Sequence, residues 1–311
     1  MSRIAVGGQA VIEGVMMRAP NALAIAVRRP NGQVVVKEDV WRSLSQRFRF
    51  LRWPFIRGSI VLFETLINGL QALSFSANQA LEDGKREEKL SSWAIGSVMA
   101  VAFGVGILFF IVLPHYLTGF LGHLFGRDLA VDNVFFHLVD GLIKVIFLVG
   151  YIYLISLLKD IQRIFEYHGA EHKCIYAYEA GEELTVGNAR KYSTLHPRCG
   201  TAFLLIVVIV GIFLFSVLFP LLPQFPSLGK GLTNLIYIGI KLPLLFPIAG
   251  LAYEVIKLSG KKAGHPVLRV VTAPGLWLQR LTTRPPTDDQ IEIALRALQG
   301  VLRIEAEKST L

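Results

Sequence analysis

The chain has 311 residues, 53% of them hydrophobic and 18% charged. That balance is too apolar for a water-soluble protein of this length and makes a bilayer the expected solvent for much of it. The formal net charge of +9 is spread over three segments that also carry acids, which argues against a nucleic-acid surface.

Residues 1–53 are expected to be a β-containing cytoplasmic segment. "LAIAVRR" and "QVVVKEDVW" flank "PNG" (Pro30 to Gly32), and Asn-Gly between apolar runs is a strong hairpin signal. Ahead of it, "GGQAVIEGVMMRAP" (Gly7 to Pro20) sets glycines and apolar residues around a single acid, Glu13. The glycines suggest a tight turn or a close backbone approach; the plainer alternative is a strand with Glu13 in solvent.

Residues 54–92 read as an amphipathic helix and a connector. From Pro54 to Leu81, the polar residues Arg57, Glu64, Asn68, Gln71 and Asn78 recur at spacings of about three to four, so one face is wet. A helix lying on the membrane surface fits better than a further span. "EDGKREEKL" (Glu82 to Leu90) is expected to be a solvated, mixed-charge linker.

Residues 93–253 hold four runs long enough to cross a hydrocarbon core of about 30 Å: Trp93 to Leu113, Val134 to Leu158, Thr201 to Leu222 and Leu232 to Tyr253. The late start of the first run, with no short apolar core and cleavage site before it, argues against a signal peptide. Residues 1–92 carry 13 Lys and Arg, residues 159–200 carry 6 and residues 254–311 carry 9, whereas the connections 114–133 and 223–231 hold only Arg127 and Lys230. The positive-inside rule then gives a multi-pass protein of the cytoplasmic (inner) membrane with both termini in the cytoplasm. Asp140 and Lys144 lie one helical turn apart, and Lys241 sits mid-span; the cost of burying such charges in lipid predicts that they pair or line a polar path.

The loop 159–200 carries the chemistry. "KDIQRIFEYHGAEHKCIYAYE" continues from the second span with no proline, so one continuous helix is expected, with Gly169 its only candidate break. His168, Glu171 and His172 stand at i, i+3 and i+4, on one helical face within reach of one ion. The string is His-x-x-Glu-His, the inverted zinc-hydrolase signature, in which two imidazoles bind the metal and the glutamate acts as base. Downstream, "HPRCG" offers His196 and Cys199, and a borderline-soft ion such as zinc accepts imidazole and thiolate together. Closure separates the alternatives: four protein ligands make a structural site, whereas three leave a position for chemistry. Cys174 falls off the histidine face and is expected to be a packed thiol. A disulfide with Cys199 is disfavoured in a reducing cytosol. Glu179, Glu182, Glu183 and His265 are weaker ligand candidates, and His115, His123 and His137 should lie on the opposite side.

Residues 254–311 are expected to start loop-rich ("KKAGHPVLRVVTAPGLWLQRLTTRPP") and to end in an amphipathic helix opened by a Thr287-to-Gln290 capping box.

The strings "GGQAVIEGVMMR", "FEYHGAEHK", "HPRCGTAF" and "PTDDQIEIAL" together resemble the signatures of the YqhQ-like family of bacterial multi-pass membrane proteins, described as predicted metal-dependent enzymes. The resemblance spans nearly the whole chain. It implies roles for Glu13, on which one motif centres, and for His168, Glu171, His172, His196 and Cys199.

The expected fold is therefore mainly α: a polytopic membrane protein with four transmembrane helices, a small N-terminal β-hairpin segment and cytoplasmic helices. The expected function is a metal-dependent hydrolase acting on a lipid-linked or membrane-proximal peptide substrate. In that reading His168 and His172 bind a divalent ion of the zinc type, His196 or Cys199 completes the set, Glu171 is the base and Glu13 assists. The alternatives are an assembly or scaffold factor with a structural metal, and a small-solute or ion transporter built on Asp140, Lys144 and Lys241.

Overall fold

The structure, a computed structural model, describes residues 4–81, 92–126, 129–223, 228–261 and 265–309. The linker "EDGKREEKL" and Arg127 lie outside these residues.

Four strands, β1 (Gly7–Val11), β2 (Gly14–Arg18), β3 (Ala22–Arg28) and β4 (Val34–Val40), form an antiparallel meander in chain order. The Asn-Gly hairpin is the β3–β4 connection, closed by the Arg28↔Val34 pair, with Gly32 at φ 83°. The glycine-rich stretch makes a second hairpin. Val11 pairs with Gly14, leaving Ile12 and Glu13 as a two-residue turn in which Glu13 takes a φ of 52°. A positive φ suits such hairpin turns but is strained for a residue with a Cβ.

Among the described residues, the helices run α1 (Leu44–Arg47), α2 (Ile56–Ala80), α3 (Ser92–Ile107), α4 (Leu113–Leu124), α5 (Val134–Ser156) and α6 (Lys159–Ala180). They continue as α7 (Val186–Arg190), α8 (Gly200–Leu218), α9 (Lys230–Lys261), α10 (Pro266–Thr282) and α11 (Asp288–Ser309). A π-helical turn at Leu108–Val112 joins α3 to α4, so the first expected span runs on to Leu124.

The period-two alternation of a strand gives each face of the sheet its own core. Val15, Met17, Ala22, Ala24 and Ala26 face α6 and α11, and pack with Tyr167, Ala170, Cys174, Ile293, Leu298 and Val301. Met16, Leu23, Ile25 and Val27 face the other way, onto Ala72 and Phe75 of α2. The N-terminal sheet, the 159–200 region and the C-terminal helix thus share one core, although they are far apart in sequence. At the start of α11, the Thr287 N–H donates to Gln290 Oε1 at 2.9 Å, one arm of the expected capping box.

Two expectations are corrected. The second span and the motif helix are not continuous: α5 ends at Ser156, and Leu158 is extended (φ −76°, ψ 128°) before α6 begins. The Gln162 side chain donates to the carbonyls of Ser156 and Leu157, taking up main-chain acceptors that a continuing helix would have used. Gly169, the expected break, lies inside α6. A Cβ there would come within 2.1 Å of the Arg284 carbonyl, so the glycine admits a crossing chain instead. The second correction concerns residues 266–282, which form a helix with Pro266 at its first turn, where a missing N–H costs nothing.

Among the described residues, five helices are long and apolar enough to cross a membrane: α2, the joined α3 and α4, α5, α8 and α9. Length and composition therefore admit one more than the four runs read from the sequence. The addition is α2, which packs on α9 and also lies against the sheet. Glu64 of α2 is buried there, accepting from Arg18 Nη2 at 3.0 Å, Ser43 Oγ at 2.8 Å and the Leu44 N–H at 2.7 Å. Glu64→Ala strands the Arg18 guanidinium and the Leu44 N–H without their acceptor. It should lower stability by about 2 to 3 kcal/mol, read as a lower melting temperature by tryptophan fluorescence, with Glu64→Gln less damaging. An unchanged melting temperature in Glu64→Ala would show that the contact does not tie α2 to the sheet.

Candidate functional site

Three of the expected ligands meet. His168 Nε2 lies 3.1 Å from Cys199 Sγ, and the ligand atoms of His168, His172 and Cys199 all fall within 4.8 Å of one another. The two histidines come from one face of α6. Cys199 is the N-cap of α8, its sulfur accepting from the Thr201 N–H at 3.4 Å. The start of an apolar helix therefore delivers the thiol to a face of a polar one.

Both imidazoles are oriented from behind. His168 Nδ1 lies 2.7 Å from the Thr282 carbonyl and His172 Nδ1 2.5 Å from the Thr194 carbonyl. A carbonyl only accepts, so each Nδ1 carries a proton and each ring presents its Nε2 to the cluster, the arrangement that fixes metal-ligating histidines. His172 Nε2 is buried and has no hydrogen-bond partner among the described residues. Glu171 is buried beside them, and its Oε2 is likewise without a partner. Gly8 of β1 makes room for this carboxylate, since a Cβ there would sit 2.9 Å from its Cδ.

His196 is near but committed elsewhere. Its ring centroid is 5.6 Å from that of His172, yet Nε2 faces Glu179 Oε2 at 3.4 Å and Nδ1 accepts from the Arg198 N–H at 3.3 Å. Gln279 pins the backbone beneath it, accepting from the His196 N–H at 2.7 Å and donating to the His196 carbonyl at 2.8 Å. Glu13 is not brought to the cluster. Its carboxylate pairs with the Arg163 guanidinium (Nη2 to Oε2, 2.6 Å) and accepts from the Tyr167 hydroxyl at 3.3 Å, which docks the β1–β2 turn onto α6. Cys174 packs in the sheet-side core, as expected. Sequence reasoning missed Gln279 and the carbonyls of Thr194 and Thr282. Main-chain acceptors leave no trace in residue identity, but the apolar spacing of 266–282 could have marked the helix that presents two of these three.

Burial opposes charge throughout the cluster, and the mutual contacts decide who carries it. For Cys199, burial favours the thiol, but the charge and hydrogen bond of His168, helped by His172, hold it well below the usual thiol range. Burial likewise disfavours the His168 imidazolium, yet the Cys199 thiolate, with Glu171 and the Thr282 carbonyl, raises it to about 9. Burial pushes the Glu171 carboxyl up against the pull of the histidines. Burial, then the charge of His172, pushes His196 down to about 4, so it is neutral at neutral pH.

The family described as "Protein of unknown function (DUF1385)" matches residues 53–304, most of the chain. The chain belongs to this family. A relative, "Uncharacterized protein YqhQ" of Bacillus subtilis (strain 168), is 34% identical over 314 residues, covering 97% of this chain and 93% of that protein. The resemblance read from the four motifs is thereby borne out; the family match over residues 53–304 takes in every cluster residue of this DUF1385 chain and leaves the sheet outside it, whereas the relative's alignment covers nearly the whole chain. No solved structure matches.

In chelator-treated protein the Cys199 thiolate should be present at neutral pH and protonate only as pH falls well below the ordinary thiol value. Ultraviolet thiolate absorbance at pH 7 should disappear in Cys199→Ser. It should persist in Cys174→Ser, whose thiol burial pushes up, and in His168→Ala its onset should move upward. A wild-type onset at the ordinary thiol value would contradict the pairing.

Proposed function

We propose that the DUF1385 chain is a membrane-embedded, metal-dependent hydrolase whose ion is held by His168 Nε2, His172 Nε2 and Cys199 Sγ. What supports this most is His172 Nε2, a buried polar atom without a partner among the described residues, standing in the group of ligand atoms with His168 and the Cys199 thiol; Glu171 Oε2, likewise buried and unpartnered, lies beside it. An orphaned buried imidazole nitrogen is costly unless something fills the space before it. The three ligand atoms, all within 4.8 Å of one another, are close enough that these residues would hold one metal ion after small side-chain adjustment.

His196, with both ring nitrogens engaged, leaves a set of three rather than four, and three ligands favour chemistry over a structural staple. A divalent ion of the zinc type would supply Lewis acidity there. Glu171, a neighbour of both histidines whose carboxylate lies against Gly8 of β1, is the group that would accept a proton from water at the site. Its burial keeps it basic enough to do so. Glu13 acts at one remove, fixing the sheet to α6 through Arg163 and Tyr167.

In this reading α3–α4, α5, α8 and α9 cross the cytoplasmic membrane and both termini lie in the cytoplasm, as the distribution of Lys and Arg supports. α2 lies along the interface, consistent with Glu64 facing the sheet. A ligand that caps an apolar helix favours a lipid-linked or membrane-proximal peptide substrate.

Metal analysis of the purified protein should find about one ion per chain. His168→Ala, His172→Ala and Cys199→Ser should lose it, whereas His196→Ala and Glu171→Gln should keep it. X-ray absorption should give two nitrogen ligands, one sulfur and at least one oxygen. Absence of stoichiometric metal, unchanged in His168→Ala, would remove the reading; a shell of four protein atoms with no solvent oxygen would leave a structural centre and a scaffold role.

A further inference from the structure

A cavity of about 500 Å³, partly open at its side, lies between α3, α5, α8 and α9. It runs beside α5 from Asp140 to Ile152, a length of about 18 Å at 1.5 Å per residue. Its walls are almost wholly apolar, with Phe103, Phe110 and Leu148 among them, but one end carries charge.

Asp140 Oδ2 accepts from Lys144 Nζ at 2.6 Å and from Lys241 Nζ at 3.2 Å. Lys241 is sealed: it is 1% exposed, with its ammonium 3.2 Å from His115 Nδ1 and within 5.8 Å of the Phe136, Phe215 and Phe219 rings. Lys144 is the more accessible of the two lysines, its side chain 11% exposed at the cavity wall. Two ammonium groups thus share one carboxylate oxygen in a low-dielectric setting, and the surplus positive charge calls for an anion. The other carboxylate oxygen, Asp140 Oδ1, is buried without a hydrogen-bond partner among the described residues.

We propose that this cavity binds one anionic amphiphile, a single apolar chain with a phosphate or carboxylate head. The head accepts from Lys144 Nζ, the more accessible of the two ammonium groups, while the chain lies along α3 and α5 toward Ile152. The site stands apart from the His/Cys cluster and does not depend on a metal there.

The test uses the full chain in an uncharged detergent, with binding read by native mass spectrometry. The probes are oleate, oleoyl lysophosphatidate and the zwitterionic oleoyl lysophosphatidylcholine. At least one of the two anionic probes should bind one per chain and at least tenfold more tightly than the zwitterion, and the better of them identifies the head. Lys144→Gln should lose that preference. Gly106→Leu fills the cavity from α3 without touching the charges, since no atom lies within 4 Å of where its Cβ would stand; it should weaken the preferred probe at least tenfold. Equal binding of all three probes to the wild-type chain would overturn the proposal, and so would full binding in Gly106→Leu. Proton-linked ion uptake by vesicles containing the protein, with none of the probes bound, would instead place the charged triad on an ion path. Should Lys144→Gln fail to fold, the wild-type comparison and Gly106→Leu decide.

Discussion

The geometry of the cluster depends on how closely the chain at Thr282–Arg284 crosses α6. Gly169 allows the Arg284 carbonyl to sit where a side chain would otherwise be, and the Arg284 N–H donates to the Phe165 carbonyl at 3.0 Å. That crossing brings the Thr282 carbonyl behind His168, and Gln279, one turn earlier on α10, holds the backbone of His196. On the opposite side of α6, the sheet and α11 press against Tyr167, Ala170 and Cys174. α6 is therefore gripped from two sides, and the positions of its histidines are set by packing rather than by the loop that follows.

The electrostatics follow from the same grip. Buried groups that could carry charge stand close together, and water is displaced by apolar walls on the sheet side. In such a setting the favoured charge state is the one in which every charge has a partner. The His168–Cys199 pair meets that condition, and Glu171, sharing the histidines, remains the group that burial most affects. Arg198 and Arg163 take the carboxylates of Glu179 and Glu13 at the periphery, which keeps these acids from competing for the centre.

Much of this was legible in the sequence, and the reasons differ by element. The i, i+3, i+4 spacing of His168, Glu171 and His172 fixes a shared face wherever the segment is helical. "HPRCG" sits immediately before an apolar run, so Cys199 had to lie at a helix start. Asn31-Gly32 marked its hairpin through the positive φ that Gly32 adopts. Asp140, Lys144 and Lys241 are charges whose cost in lipid predicts that they pair or line a polar path, and Asp140 accepts from both lysines. Less legible were features set by tertiary contact. The α5–α6 break depends on Gln162 reaching back to two carbonyls, which no propensity reports. The Glu13 pairing joins residues 150 apart, and His196 differs from a ligand only in which neighbours its ring nitrogens face. Residues 266–282 were obscured by two prolines, one harmless at a first turn and one, Pro274, tolerated within a helix that packs against α8.

Cys199 does two jobs with one sulfur: it caps α8 and it faces the two imidazoles. A capping atom moves with the helix it caps, so the sulfur has no freedom separate from the axis of α8. The histidines ride on α6, which the sheet holds. The distance between sulfur and imidazole is thus also a measure of the distance between two bodies, one immersed in apolar surroundings and one packed on a folded domain. Anything that tilts or shifts α8 relative to that domain is transmitted, undiminished, to the spacing of the three groups.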